Sequence, residues 1–319
     1  MNIAVIGGGS WGSAFAALLA ERRHDVLLAC RDPEQARAIA TMGRNPRYLP
    51  ELDLGGVKAV TLDDPSLAGA ETFAIAVPSA AFRPVVSGLP ANGAPLLSLV
   101  KGLDPVSGER LSTVVEGRSV AVLSGPNHAE EISLGLPAAA VIACEDEALG
   151  DRLQEAIHSP VFRVYGSTDV VGVELCAAAK NVIALGAGAV DGLGLGDNAK
   201  AGPLTRGLAE MVRLGEASGA RSETFSGLAG MGDLMVTCWS RHSRNRRAGE
   251  LIGRGATPEE ARAEIAMAVE GITTAPVLRD LAHRLGIELP IIEAVCRALE
   301  GEHPRDIVAR LMGRAPTGE

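Results

Sequence analysis

Long hydrophobic runs are missing from this sequence: no uninterrupted apolar stretch reaches the roughly 18 residues of a membrane-spanning helix. The opening residues, MNIAVIGGG, also lack the basic flank and extended apolar core of a signal peptide, so a cytoplasmic location without membrane insertion is expected. Cysteine is sparse. Cys30, Cys144, Cys176, Cys238 and Cys296 are odd in number, scattered and free of C-x-x-C spacing, which argues for reduced thiols and against a disulfide framework or a zinc site. The histidines show no metal-ligand spacing either, so no metal is expected and His128, His158 and His242 are read as structural or surface residues. Positive charge is not in excess: the formal net charge of -9 disfavours nucleic acid and anionic membranes as partners. Lysine is the scarcest charged residue, with 4 (Lys58, Lys101, Lys180, Lys200) among the 30 Lys and Arg residues. Arginine does not give up its proton in a protein, so a chain this inclined to arginine that keeps a lysine in an apolar setting points to an amine that must titrate.

What is present is a globular composition: 319 residues, 47% of them hydrophobic, enough for two ordinary domains with real cores. The first half alternates β-type runs (NIAVIG, DVLLAC, TFAIAV, PLLSLV, VAVLSG, AAAVIA, VFRVYG) with helical patterns, which predicts a doubly wound, mainly parallel sheet covered by helices. After about Ser167 the β-type runs stop and the pattern becomes helical. Thr257, Pro258 and Glu260 form a capping-box start, Pro290 opens another helix, and Gly286 and Gly301 are stop signals. We therefore expect an α/β domain over residues 1–168 and an all-α domain over residues 169–319.

Gly7, Gly9 and Gly12 spell G-x-G-x-x-G between the first strand and a helix. In that context the first glycine allows a tight turn, the second lets backbone approach a pyrophosphate, and the third lets the helix pack closely with its N-terminus toward the anion. At the end of the second strand, Arg31 suits a 2'-phosphate and Asp32 suits a bare ribose hydroxyl; NADP(H) is the favoured cofactor, with NAD(H) as the alternative. Trp11, inside the glycine turn, is read as a wall of the nucleotide pocket.

The stretch ELCAAAKNVIALGAGAV, residues 174–190, sets Lys180 alone among small and apolar side chains. Lys101 in SLVKGL and Asn127 in SGPNHA each follow a β-type run, at the sheet edge where ligands bind in open α/β sheets. Further on, GMGDL carries Asp233, and SRHSRNRR packs Arg241, Arg244, Arg246 and Arg247 together, a local cationic patch in an acidic chain that points to a small anionic ligand. The patch has no interleaved aromatics, which speaks against nucleic acid.

These segments, with GGGSWGSA, TRGLAEMVRLG and SRNRRAG, occur in an order and spacing that resemble the bacterial soluble NAD(P)-dependent glycerol-3-phosphate dehydrogenases, from Asn2 to about Leu299. The resemblance implies a Rossmann domain followed by a helical domain of the 6-phosphogluconate dehydrogenase type, a cytoplasmic homodimer, and interconversion of dihydroxyacetone phosphate and sn-glycerol 3-phosphate for phospholipid synthesis. It implies Lys180 as the catalytic base, with Lys101 and Asp233 beside it. Asn181, Thr237, Arg244 and Asn245 match substrate positions, and Gly125, Asn127 and Ser243 match further ligand contacts. Ser10, Trp11, Arg31, Lys101, Ala129, Arg244 and Glu270 match positions bordering the nucleotide, beside Gly7, Gly9 and Gly12. The chain departs from the family at Asn127 and His128, where Ser or Thr followed by Phe is more usual. Burial in an apolar helix and the neighbouring Lys101 are both expected to depress the Lys180 amine toward neutral pH. Two other readings compete: a dehydrogenase of similar build acting on a hydroxy or keto acid, and a protein that binds NADP(H) without turnover.

Overall fold

The structure, a computed structural model, describes residues 1–313. The first half alternates as β1 (Asn2–Ile6), α1 (Ser10–Glu21), β2 (Asp25–Cys30), α2 (Pro33–Met42), β3 (Val57–Thr61), β4 (Thr72–Ile75), α3 (Ser79–Ser87), β5 (Leu96–Ser98), β6 (Val120–Ser124), α4 (Ala129–Ile132), β7 (Ala138–Cys144), α5 (Glu147–Ile157) and β8 (Phe162–Ser167). The strands form one 8-stranded sheet in the order β3-β2-β1-β4-β5-β6-β7-β8. Every pairing is parallel except β6 with β7. Strands such as AVI in β1 and FAI in β4 are fully buried, as expected of a sheet covered on both faces. Chain order reverses between β1 and β4, so the crevice beyond their C-terminal ends is the natural ligand site of the sheet. The runs read from the sequence all occur as strands, and β3 is the addition. It is an edge strand whose sequence VKAVT has a half-exposed pattern, so it carries no continuous apolar run.

The second half is helical: α6 (Val170–Gly192), α7 (Gly196–Ala217), α8 (Ser222–Ser226), a π-type turn over Leu228–Gly232, α9 (Asp233–Trp239), α10 (Arg244–Gly253), α11 (Pro258–Ile265), α12 (Glu270–Leu285), α13 (Pro290–Leu299) and α14 (Pro304–Met312). Thr257 and Glu260 form the capping box of α11, and Gly286 ends α12 in the left-handed conformation at φ 67°. Helix α6 is long and apolar enough to cross a membrane by length and composition, yet 89% of that window lies inside the protein. Its apolarity is that of a central core helix.

Helices α6 and α10 touch backbone to backbone. A Cβ on Gly188 would lie 1.9 Å from the Arg246 carbonyl oxygen, and one on Gly249 would lie 1.9 Å from that of Leu185. Gly192 and Gly253 repeat the contact one turn along. Two Gly-x-x-x-Gly pairs therefore bring the start of α10, with Arg244 and Asn245, close to Lys180 and Asn181 on α6.

The halves are tied by partly buried polar contacts. Glu270 at the start of α12 accepts from the amide and hydroxyl of Ser79 at the start of α3, at 3.0 and 2.5 Å. Glu174 on α6 accepts from Arg110 and from the Ser112 amide and hydroxyl.

Candidate active site

The cluster expected from distant pieces of sequence assembles around one carboxylate. Lys180, 3% exposed, leaves the middle of α6 toward α9, where its Nζ donates to Asp233 Oδ1 at 2.5 Å and to Thr237 Oγ1 at 2.8 Å. Lys101, on the loop after β5, donates to the other oxygen of Asp233 at 3.0 Å, to Asn127 Oδ1 at 2.6 Å and to the Gly125 carbonyl at 3.0 Å. Ser124 Oγ adds a longer bond to Asp233 Oδ2, at 3.3 Å. Gly125 sits at φ 142°, and a Cβ there would lie 2.9 Å from the Ala139 carbonyl oxygen, so this tight turn needs glycine to present its own carbonyl to Lys101.

Charge counting fixes the electrostatics. Two ammonium groups share one carboxylate, so with both lysines protonated the cluster carries an uncompensated positive charge away from water, and losing one proton removes it. Lys180 is the deeper amine, its side chain 4% exposed against 19% for Lys101. Burial lowers the Lys180 pKa to about 7; Asp233 opposes that shift and Lys101 adds to it. Burial alone would raise the Asp233 carboxyl, but Lys101 and Lys180 together hold it below its ordinary value. Asp233 is therefore the fixed anion and Lys180 the group poised to titrate at neutral pH. His128 lies near the same charges; burial first, then Lys180 and Lys101, lowers it to about 4, so it is a neutral imidazole.

Around this centre the asparagines act as struts. Both amide hydrogens of Asn181 are used, on the carbonyls of Lys101 at 2.8 Å and Ala177 at 3.1 Å, and its Oδ1 accepts from Asn245 Nδ2 at 2.9 Å. Asn245 Oδ1 in turn accepts from the Gly271 amide, beside Glu270. Ser243 caps α10 by accepting from the Arg246 amide. Arg244 is exposed and has no ion pair among the described residues, so its guanidinium is available to a ligand. The buried Nδ2 of Asn127 has no hydrogen-bond partner within the protein. A buried donor without a partner, beside Lys101, is an unfilled contact that a ligand oxygen would complete.

The residues of the glycine turn fit a dinucleotide. A Cβ on Gly12 would lie 1.8 Å from the Gly7 carbonyl oxygen, and one on Gly7, at φ 120°, would lie 2.4 Å from the Ala76 carbonyl oxygen. Gly9 has no atom within 4 Å of where a side chain would begin, so the outer side of the turn is open. No side chain caps the first amides of α1, which starts at Ser10, and this leaves donors toward that hollow, as an anion requires. Trp11 packs its ring between Phe15 and Phe162, at centroid distances of 5.6 and 6.4 Å, so it belongs to the sheet core as well as to the turn. Its buried Nε1 has no partner within the protein. Of the two residues considered for the ribose, Asp32 is engaged as the cap of α2, accepting from the Glu34 amide at 2.9 Å. Arg31 beside it is exposed. Ala129 is buried at the start of α4, next to the Asn127 turn.

Three groups that the sequence did not single out support this arrangement: Ser79, which meets Glu270; Asn45, whose Nδ2 donates to the Gly8 carbonyl and to Ser13 Oγ behind the glycine turn; and the glycine pairs of α6 and α10. The four-residue glycine spacing was visible in the sequence, but the partner of each pair was not.

Comparison with known proteins shows the family of the chain. Models of the NAD-dependent glycerol-3-phosphate dehydrogenase N-terminus and C-terminus match residues 2–150 and 169–309. The glycerol-3-phosphate dehydrogenase [NAD(P)+] of Moorella thermoacetica is 45% identical over 100% of this chain and 97% of its own length. That of Oleidesulfovibrio alaskensis is 46% identical over 98% of each. The crystal structure of glycerol-3-phosphate dehydrogenase from Coxiella burnetii superposes with a TM-score of 0.94 at 38% identity, covering 98% of this chain and 99% of that one. A two-domain chain of this build, matched by relatives of such identity along its whole length, belongs to the NAD-dependent glycerol-3-phosphate dehydrogenase family.

Proposed function

We propose that this chain interconverts dihydroxyacetone phosphate and sn-glycerol 3-phosphate, using NADP(H) or NAD(H) with NADPH preferred. The observation that carries the reading is a buried lysine, lowered to about 7, held on an ionised aspartate at the edge of a dinucleotide cradle. When bound, the nicotinamide supplies or accepts the hydride at C2 of the substrate. Lys180 handles the accompanying proton. Its neutral amine takes the C2 hydroxyl proton in oxidation, and its ammonium returns a proton to the developing alkoxide in reduction. Asp233 and Thr237 aim the amine, while Lys101 keeps a second positive charge where negative charge develops on oxygen. Asn127 offers its free Nδ2–H to a substrate oxygen. Arg244 grips the phosphate with two parallel N–H donors, helped by the second amide hydrogen of Asn245. Gly125, Asn181 and Ser243 hold these contacts in place. Gly7, Gly9, Ser10, Trp11 and Gly12 line the pyrophosphate side, Arg31 faces the 2'-phosphate, and Ala129, Arg244 and Glu270 border the rest of the nucleotide.

Within this reading, residues 1–168 form the nucleotide-binding unit and residues 169–319 the substrate-binding unit. A cytoplasmic homodimer that supplies glycerol phosphate to phospholipid synthesis is part of the same proposal. It is supported by the family resemblance and, for the reducing compartment, by five buried, unpaired cysteines.

The test is the loss of reduced-nicotinamide absorbance when the protein is mixed with NADPH and dihydroxyacetone phosphate, repeated with NADH. Turnover with a preference for NADPH is expected. Silence with this substrate and activity with a phosphate-free keto acid would reject the reading.

A further inference from the structure

The proposed mechanism does not use Lys200, although its side chain is only 5% exposed and the chain has just 4 lysines. Lys200 lies near the start of α7. Its Nζ donates to Asp191 Oδ2 at 2.7 Å and stands 5.2 Å from the centroid of the Trp239 ring, at the end of α9. Asp191 closes α6 on the same face as Lys180, three helical turns or about 16 Å further along. The same Asp191 oxygen accepts from Arg246 Nη1 at 2.6 Å. Arg246 also donates through Nε to the Ser240 carbonyl at 3.2 Å, and its amide is the one that Ser243 caps. One guanidinium thus staples the bend over residues 240–243 to α6, and that bend sets where α10 begins and where Arg244 emerges. Arg244 has no ion pair of its own among the described residues, so its placement is inherited from this staple.

We infer that Lys200 is a positioning residue for phosphate recognition: by clamping Asp191 it fixes Arg246, and through Arg246 the start of α10 that presents Arg244. The inference rests on the proposed phosphorylated substrate. Charge explains why a second cation is needed at Asp191. Arg246 has a second acidic neighbour, Glu250, at 3.3 Å, and Asp191 is partly open to water, so Arg246 alone does not hold Asp191 in one place. With Lys200 present, Asp191 lies between two cations and is fixed. A misplacement of about 1 Å at a substrate-positioning group is enough to cost as much as about a hundredfold in rate, so a modest slackening of this staple is measurable.

The experiment compares wild type with Lys200→Met, which keeps the packing on Trp239, and with Asp191→Asn, which weakens the same staple from the other side. Each is assayed on dihydroxyacetone phosphate and on dihydroxyacetone, which has no phosphate for Arg244 to hold. Both variants are expected to raise KM for dihydroxyacetone phosphate by about tenfold or more, with kcat reduced less than about threefold and kcat/KM on dihydroxyacetone unchanged. Lys200→Arg, which keeps the charge and its donors, should recover most of the lost affinity. An equal loss on both substrates, or an unchanged KM in both variants, overturns the inference. If wild type itself shows no preference for the phosphorylated substrate, the underlying functional reading fails instead, so the two failures are distinct.

Discussion

Replacing Lys180 with methionine isolates the chemistry of the amine, because methionine has similar length and fills the same slot in α6 without a charge. Asp233 stays satisfied in the variant, since Lys101 remains 3.0 Å from its Oδ2 and Ser124 lies 3.3 Å away. Loss of a positioned acid or base typically costs about 10² to 10⁴ in rate, or roughly 3 to 5 kcal/mol of barrier. The variant's kcat should fall in that range in both directions. Stability should move the other way at acid pH. The Lys180 pKa is lowered from 10.5 in the unfolded chain to about 7 in the folded one, so the folded protein binds fewer protons between those values. The stability that Lys180 contributes is therefore present above the higher value and lost as the pH falls through the lower. The methionine variant has no such loss, and the wild type's acid penalty relative to it is bounded by about 5 kcal/mol. Thermal melts at about pH 6 and about pH 9 should show the variant gaining on wild type at the lower pH. Steady-state assays near neutrality give the rate. A variant within about tenfold of wild-type kcat, with an unchanged melt, would refute the role given to this lysine.

Two further outcomes follow from neighbouring geometry. Arg31→Ala should raise KM for NADPH by about tenfold or more while changing KM for NADH little, as the loss of a charge-assisted phosphate contact predicts; equal effects on the two cofactors would remove Arg31 from the 2'-phosphate site. Gly249→Ala puts a methyl group 1.9 Å from the Leu185 carbonyl oxygen, which forces α10 away from α6. It should destabilise the protein by about 1 to 3 kcal/mol in denaturant melts and weaken dihydroxyacetone phosphate binding, and a neutral melt would show that the helices are not in backbone contact.

Most of the architecture was legible because the determinants are local. Alternating apolar runs mark the strands from β1 to β8 apart from β3, and Thr257, Pro258, Glu260 and Gly286 mark helix ends by capping chemistry that acts within a few residues. Strand β3 escaped because an edge position leaves one of its faces in water. The identities of Lys101, Lys180, Asp233 and Thr237 were also readable, and the structure brings them within hydrogen-bond distance. What the sequence did not contain was the pairing across long separations. Asp32 read as a candidate ribose contact, and the sequence did not show that its side chain also caps α2 by accepting from the Glu34 amide. Asn181 read as a substrate contact, but its amide hydrogens are committed to two backbone carbonyls. Glu270 meeting Ser79, and Lys200 meeting Arg246 through Asp191, depend on how two halves of the chain dock, which no local pattern encodes.

The most direct test of the central claim is the pH dependence of kcat/KM in both directions. With a lysine titrating near pH 7 as base in one direction and acid in the other, glycerol phosphate oxidation should lose about tenfold per pH unit below neutrality, and dihydroxyacetone phosphate reduction should decline above it. Profiles that stay flat across neutrality in wild type, or an inflection near 7 that survives intact in Lys180→Met, would contradict the account.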